Sequence, residues 1–150
     1  MSVVLDEISK EIIGYLQQDG RAAYSTIAKH VGLSETAVRQ RVQRLLEADV
    51  MQIVAVTDPL QVGFRRQAMI GLRVEGDLQR VARAVDTIDE VAYSVTTAGS
   101  FDLLIEVVCE DDEHLLRLLN DQLRAIPGVV RTETFMYLHL NRQRYDWGTR

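Results

Sequence analysis

The chain has 150 residues, 47% of them hydrophobic, and a net charge of −5 at neutral pH. This length suits one or two small domains, and no apolar run approaches the roughly 20 residues that span a bilayer, so we expect a soluble, cytoplasmic protein that does not enter a membrane. The single cysteine, Cys109, excludes an internal disulfide and a cysteine-rich zinc site, and its apolar neighbours predict a buried structural thiol.

The first predicted elements are two helices, each followed by a glycine. Apolar residues recur at helical spacing from Leu5 to Leu16, and Gly20 is the expected stop. Ser25 is positioned to cap a short helix, "TIAKHV", which ends at Gly32. A tight turn then leads into "LSETAVRQRVQRL", residues 33–45. Two short helices joined by a glycine-containing turn predict a helix-turn-helix.

The segment "LSETAVRQRVQRL" predicts an amphipathic helix. Ser34 is a suitable N-cap, and Glu35 lies in the first turn, where the helix dipole favours a negative charge. The expected apolar stripe is Val38, Val42, Leu45 and Leu46. The opposite side presents Thr36, Gln40 and Gln43, with Arg39 and Arg44 on either side of them.

Positive charge is concentrated in this part of the chain. Residues 20–44 contain five basic residues and one acidic residue, whereas the remainder contains 12 basic and 21 acidic residues. A solvated helix face is one explanation of this charge, and contact with double-stranded DNA is another. The helix-turn-helix arrangement favours DNA, because the second helix of that motif lies in the major groove.

The predicted geometry assigns provisional roles in DNA binding. The hydroxyl and amide groups opposite the apolar stripe suit base edges, and the arginines beside them suit phosphates. Arg41 lies closer to the apolar stripe, where a structural ion pair and a phosphate contact are both compatible with the pattern. The candidate DNA-binding residues are Arg21, Ser25, Lys29, Ser34, Thr36, Arg39, Gln40, Arg41, Gln43 and Arg44.

A domain boundary is predicted in the segment "VAVTDPLQVGF". The pattern indicates a short strand that ends before Pro59, which cannot continue a strand ladder, and Gly63 relaxes the chain. We therefore expect a helix-turn-helix domain at residues 1–58, a linker at 59–63 and a second domain at 64–150.

The second domain has the predicted order β-α-β-β-α-β. The strands are "RQAMIGLRVEG", "VAYSVTTA", "FDLLIEVVCE" and "VVRTETFMYLHLNR", and the helices are "DLQRVARAVD" and "DEHLLRLLNDQLRAI". This order is the ferredoxin-like unit, an antiparallel sheet with both helices on one face. The predicted fold class is therefore α+β, a helix-turn-helix (winged-helix-like) domain followed by a ferredoxin-like βαββαβ domain.

The face of this sheet without helices is predicted to be apolar. The residues assigned to it are Met69, Leu104, Val108, Met136 and Leu138. A large exposed apolar face is unfavourable in a monomer, so we expect a homodimer through this domain.

The chain resembles the Lrp/AsnC family of bacterial and archaeal regulators. The resemblance rests on "LD" at residues 5–6, "LQQDGR" at 16–21, "VGLS" at 31–34 and the spacing of arginines and apolar residues at 38–45. The second half adds "AGSFD", "IPGV" and "RTET", so the resemblance covers almost the whole chain. Two departures are Ser9, where the family usually has a second aspartate, and Asp49, where it has a glycine after the recognition helix. Aspartate tolerates the left-handed conformation expected at residue 49.

The resemblance implies that the second domain binds a small effector, commonly an amino acid, where dimers meet in larger even-numbered assemblies. The residues carried over to this role are Gly99, Ser100, Asp102, Thr132 and Thr134. Gly99 permits close backbone approach and Asp102 suits an ammonium group, but an ordinary hairpin turn explains the same residue types.

Motifs for catalysis and metal binding are missing from the sequence. The three histidines fall on three predicted elements without metal-ligand spacing, so we expect no metal, cofactor or catalytic residue. Sirohaem decarboxylases share the two-domain plan, so a related enzyme is one alternative. A metabolite sensor that does not bind DNA is the other.

Overall fold

The computed structural model describes residues 5–150, which divide into two compact units. One unit contains the chain up to Val56 together with Asn141–Arg150, and the other contains Thr57–Leu140. Residues 1–4 of the predicted first domain lie outside the described residues. Within residues 5–150, no helix is long and apolar enough to cross a membrane.

Among its described residues, the first unit contains three helices: α1 (Glu7–Gln18), α2 (Tyr24–Val31) and α3 (Glu35–Glu47). The predicted cap of α3 is confirmed, since the Ser34 hydroxyl accepts the Ala37 N–H at 3.2 Å. The predicted end of α2 is confirmed as well, with Gly32 in the left-handed conformation at φ 69°. The predicted cap at Ser25 is wrong, because α2 begins one residue before it and its N-cap is Ala23.

The helices enclose a small apolar core. Its fully buried members include Ile12 of α1, Ile27 of α2 and Val38 of α3. The predicted apolar stripe of α3 is confirmed, with Val42 and Leu45 also buried and Leu46 partly buried against the same core. The opposite side of α3 therefore remains free to face solvent.

The end of α3 requires a left-handed residue. The N–H of Val50 bonds to the carbonyl of Leu45 at 3.0 Å and that of Asp49 to Leu46 at 3.1 Å, the hydrogen-bond pattern of a Schellman motif. Asp49 has a φ of 53°, which confirms the conformation expected for it from the sequence. A side chain in this conformation carries a steric cost that glycine avoids.

Replacing Asp49 by glycine is therefore expected to raise the free energy of unfolding, by about 0.5 to 1 kcal/mol. Urea unfolding followed by circular dichroism measures this change, with the m-value unaltered. Asp49→Ala is the matched control and is expected to destabilise the protein, since alanine lacks the tolerance of aspartate for positive φ. Equal stabilisation by both substitutions would contradict the explanation.

The segment after α3 departs from the prediction. Residues 51–58 form no strand, so the strand predicted at the start of "VAVTDPLQVGF" is wrong, and the described residues of the first unit include no wing strands. Alternating apolar residues are compatible with a strand, but a strand also needs a hydrogen-bonding partner. A short 3₁₀-helix, Pro59–Val62, follows, and its first turn is capped by Asp58.

The second unit contains four strands and two helices in the predicted order. The strands are β1 (Arg66–Val74), β2 (Val91–Thr96), β3 (Leu103–Cys109) and β4 (Val129–Met136), and the helices are α4 (Leu78–Val85) and α5 (Asp112–Arg117). A π-helical segment, Leu118–Leu123, continues α5. The strands pair antiparallel in the order β2-β3-β1-β4, which confirms the ferredoxin-like fold and the α+β class.

The core of the second unit lies between the sheet and its helices. Ile70 and Ile105 are opposite each other on β1 and β3, and both are fully buried with Val81 of α4 and Leu118. Cys109 is also buried in this core, as predicted. Burial, followed by the nearby charges of acidic residues, raises the pKa of its thiol to about 11.

The opposite side of the sheet, here called the open face, carries partly exposed residues of all four strands. Two of the predicted members are misplaced: Met136 pairs with the buried Ala68 and so points to the helix side, and Leu138 lies beyond β4. The strand β4 instead contributes Phe135, which is opposite Met69. A shift of one residue reverses the side of a strand on which a residue lies.

Gly71 shapes the open face at its centre. A β-carbon there would lie 2.5 Å from the ring of Phe101, so only glycine permits this contact. The Phe101 ring also meets Phe135 edge-to-face at 6.0 Å between centroids. The open face thus carries an aromatic pair that periodicity did not indicate.

Candidate DNA interface and effector site

The solvent-facing side of α3 is a polar ridge made by Thr36, Gln40 and Gln43, all exposed. Burial of the opposite stripe against α1 and α2 fixes which side faces out. The Gln43 amide donates to Glu47 Oε1 at 2.9 Å, which is a contact within the helix. Hydroxyl and amide groups in this position have the donors and acceptors that base edges require.

Of the two arginines beside the polar ridge, one is paired with a carboxylate and the other is not. Arg39 donates to Glu35 at 3.0 Å and lies over the ring of Tyr24 at 5.2 Å. Arg44 is exposed and has no ion-pair partner within the described part of the chain. A guanidinium without a carboxylate partner is available to a phosphate.

The remaining sequence-predicted residues of this surface lie on neighbouring elements. Arg21 follows α1 and Lys29 lies in the last turn of α2, and both are exposed. Ser25 is exposed in the first turn of α2, and Ser34 is occupied as the cap of α3. The structure therefore brings most of the predicted residues to exposed positions of one helical unit.

The structure ties Arg41 to the start of α1. Its Nη1 donates to both carboxylate oxygens of Asp6, at 2.9 and 2.7 Å, and to the Ser9 hydroxyl at 3.0 Å. The same carboxylate accepts the Ser9 N–H at 2.8 Å and so caps α1. Hydrogen bonds from the side chain and N–H of Ser9, followed by Arg41, lower the pKa of Asp6 to about 2.

The low pKa of Asp6 predicts acid sensitivity. Because its folded-state pKa is below the ordinary value of 3.8, its contribution to stability is present above about pH 4 and is lost as the pH falls towards 2. We expect the NMR titration of the Asp6 carboxyl to have its midpoint near pH 2, and Arg41→Ala to move the midpoint upward. A midpoint near 4 in the wild-type protein would contradict the observed hydrogen bonding.

The predicted effector loop joins β2 to β3. The Thr97 hydroxyl donates to the carbonyl of Phe101 at 2.7 Å, and the Thr97 N–H bonds to the Asp102 carbonyl at 2.9 Å. Gly99 and Ser100 lie between these bonds and are exposed. The loop is thus a closed hairpin turn that presents its tip to solvent.

Asp102 is engaged within the protein. Its Oδ2 accepts the N–H of Val74 at 2.8 Å, and its Oδ1 lies 3.6 Å from Arg73 Nη1. The carboxylate therefore fastens the loop to β1. Only 28% of the side chain is exposed, which limits what it offers to an ammonium group.

Thr132 and Thr134 lie on β4, away from the loop in the sheet order. They pair with Leu72 and Ile70 and so share the helix side of the sheet. The Thr132 hydroxyl accepts from Arg124 Nε at 3.2 Å. Within this one chain, the five carried-over residues are distributed over a hairpin and an edge strand.

A polar cluster on the open face was not predicted from the sequence. Glu106 on β3 accepts from the Gln67 amide at 2.9 Å and from the Tyr137 hydroxyl at 2.9 Å. Burial and the hydrogen bond to Glu106 raise the pKa of Tyr137 to about 12. The two partners of Glu106 come from β1 and from the segment after β4, and only the fold brings them to β3.

The histidines provide little additional chemistry. The His114 Nε2 lies 2.7 Å from Glu90 Oε1, and this contact is the largest cause of the lowered pKa of Glu90. Among residues 5–150, no group of three or more metal-binding side chains is positioned to hold an ion.

Comparison with known families covers both units. A model of the AsnC-type helix-turn-helix domain matches residues 5–46, and a model of the Lrp/AsnC ligand binding domain matches residues 67–145. The chain is 33% identical over 145 residues to the HTH-type transcriptional regulator FL11 of Pyrococcus horikoshii, with 95% of each chain covered. It is 31% identical to a proline dehydrogenase transcriptional activator of Rhizobium radiobacter, with 89% of each covered.

Solved structures share the fold. The structure of Escherichia coli AsnC has a TM-score of 0.81 and 24% identity, covering 95% of this chain and 98% of that one. A transcriptional regulator of Neisseria meningitidis, solved in complex with L-Met, has a TM-score of 0.81 and 22% identity, covering 95% and 96%. At these identities the likeness establishes the architecture.

Proposed function

Because the chain belongs to the Lrp/AsnC family of DNA-binding transcriptional regulators, we propose that α3 reads a specific DNA sequence and that an amino acid modulates the binding. The observation that carries the DNA role is the exposed polar ridge of α3, whose opposite side is buried. The N-cap, the apolar stripe and the C-terminal end of α3 all make contacts within the first unit, which fix the orientation of the helix.

The residues divide into two roles. Thr36, Gln40 and Gln43 contact base edges, and glutamine pairs with adenine through two hydrogen bonds. The residues that contact phosphates are Arg21, Ser25, Lys29, Ser34, Arg39 and Arg44. Arg41 instead holds α3 against the start of α1, because its guanidinium donates hydrogen bonds to Asp6.

The open face is the proposed surface of a homodimer. Leu104 and Val108 of β3, with Met69 of β1, present apolar side chains there beside Tyr93, which is 54% exposed, and Phe135, which is 44% exposed. Covering them with a second copy removes this apolar area from water. Two helix-turn-helix units then predict a partly palindromic operator with half-sites about 34 Å apart, or a multiple of that.

The proposed effector site lies at the loop between β2 and β3. The exposed tip at Gly99 and Ser100 is the part of the loop available to a ligand, while Asp102 supports the loop. The relative solved with L-Met supports an amino acid as the class of effector. Thr132 and Thr134 lie on β4, apart from the loop. A site that uses all five residues is therefore proposed to combine residues of neighbouring dimers in a larger even-numbered assembly.

The residue limits of the domains follow the same proposal. We propose a DNA-binding domain at residues 1–58, a linker at 59–63, where the 3₁₀-helix lies, and an effector-binding domain at 64–150, although Asn141–Arg150 group with the first compact unit. Because the matched regulators come from bacteria and archaea, whose chromosomes lie in the cytoplasm, the proposed place of action is the cytoplasm.

Fluorescence anisotropy tests the function directly. The purified protein is titrated with DNA from upstream of its own gene and with a scrambled duplex, across salt, with and without a pool of the amino acids. Preference for the upstream DNA that shifts with the pool supports the whole proposal. Preference indifferent to the pool removes the amino-acid effector, and no affinity for either duplex at low salt overturns the DNA-binding role.

A further inference from the structure

The arginines of α3 differ in how they are held. Arg39 pairs with Glu35 one turn earlier, and its side chain remains 63% exposed. Arg41 pairs with Asp6, a residue 35 positions away, and is 31% exposed. Only Arg44 of the three has no carboxylate partner in residues 5–150. The positive charge that the sequence places on α3 is therefore mostly neutralised before any DNA arrives.

The contact between Asp6 and Arg41 joins two helices. Three hydrogen bonds from one Arg41 nitrogen end on Asp6 and Ser9, both at the start of α1. An ion pair between residues so distant in sequence fixes one helix against another, whereas the pair of Glu35 and Arg39 acts only within α3. With its pKa near 2, the Asp6 carboxylate stays charged at neutral pH.

This ion pair borders the polar ridge. A shallow cavity of about 330 Å³ lies beside this contact, and its lining includes Asp6, Arg41, Gln40 and Arg44. A carboxylate thus lies beside two side chains proposed to contact DNA. Without its carboxylate partner, Arg41 would add a free cation at this point of the surface.

We propose that Asp6 is a specificity-determining residue, which holds Arg41 away from the DNA phosphates and so limits binding to unrelated sequences. The inference rests on the proposed DNA-binding role of α3. Nonspecific affinity depends on the number of phosphates that cations neutralise, whereas specific affinity also depends on base contacts. Holding one arginine in an internal ion pair therefore lowers nonspecific binding more than it lowers specific binding.

The test is Asp6→Asn, measured by anisotropy against the scrambled duplex and the upstream DNA. Asparagine caps helices as well as aspartate does, so the start of α1 is retained. We expect affinity for the scrambled duplex to rise about 3- to 10-fold near 0.1 M salt, and the slope of log affinity against log salt to steepen by about one. The ratio of specific to nonspecific affinity falls. A purely structural ion pair would leave the salt slope unchanged.

Two controls isolate Arg41 as the cause. Glu7→Gln removes one carboxylate from the same turn of α1, but its partner is Lys10, also on α1. It is expected to leave the salt slope unchanged. In an Arg41→Ala background, Asp6→Asn has no arginine to release, so the steeper slope disappears.

The outcomes separate this inference from the proposed function. Wild-type protein that binds no duplex at low salt overturns both. Wild-type protein that binds DNA, with Asp6→Asn showing the same salt slope and the same nonspecific affinity, overturns this inference alone. If circular dichroism shows that Asp6→Asn is unfolded, Asp6→Ser repeats the test with another good N-cap and no carboxylate.

Discussion

Replacing Gln40 by alanine is expected to lower discrimination between the operator and a scrambled duplex by roughly 5- to 150-fold, with little change in nonspecific affinity. A bidentate contact from glutamine to adenine contributes about 1–3 kcal/mol of discrimination against the wrong base. Gln40 is exposed on the polar ridge and makes no contribution to the buried stripe of α3, so its removal leaves the core intact. Anisotropy with both duplexes measures the ratio.

Arg44→Ala provides the contrast. Loss of a phosphate contact weakens binding to every sequence alike and reduces the salt slope by about one, so discrimination is retained. Arg83→Ala removes the same charge from an exposed position on α4 and is the matched control. If Gln40→Ala left discrimination intact, the assignment of the base-reading side of α3 would be wrong.

Leu104→Glu is expected to dissociate the homodimer. Leu104 lies on the open face, opposite Gly71 of β1 and Val95 of β2, at the centre of the proposed interface. Burying a carboxylate in an apolar interface carries a large desolvation cost, and the carboxylate of Glu106 already lies on this face. Analytical ultracentrifugation should give the wild-type protein a mass of at least two chains and the Leu104→Glu variant the 17.0 kDa of one chain.

Leu116→Glu is the matched control for this substitution. Leu116 is an equally apolar residue, 56% exposed on α5, away from the open face. It is expected to retain the wild-type mass. A Leu104→Glu protein that also retained this mass would exclude the open face as the interface. The dissociated variant should also lose affinity for an operator with two half-sites, since one module buries only about 600–1,000 Å².

The sequence predicted those helix ends and buried faces correctly that depend on residues close together in the chain. The cap at Ser34, the left-handed Gly32 and the apolar stripe of α3 each depend on residues within about two turns of one another. The order of strands and helices in the second unit was equally accessible, because strand and helix periods differ. Ser25 was wrongly predicted as the N-cap of α2. A residue type that suits a cap does not prevent a helix from beginning earlier, and α2 begins at Tyr24.

The errors and omissions in the candidate site involve distant partners. The strand expected at the start of "VAVTDPLQVGF" did not form, since apolar alternation cannot supply the neighbouring strand that a strand requires. The side of β4 that carries Phe135 instead of Met136 depends on pairing with β1. Likewise, the cluster around Glu106 gathers residues that no periodicity links.

Local chemistry along the chain thus determined the helical ends, the buried stripe of α3 and the polar ridge opposite it, because hydrogen bonds and side chains within a few residues decide them. Tertiary structure alone decided the state of Arg41, whereas the pair of Arg39 and Glu35 lies within α3. The sequence left Arg41 between a phosphate contact and an ion pair, and folding brought Asp6 to it from 35 residues away. The charge of a surface depends on such pairings, and pairings depend on distances that only the packed helices establish.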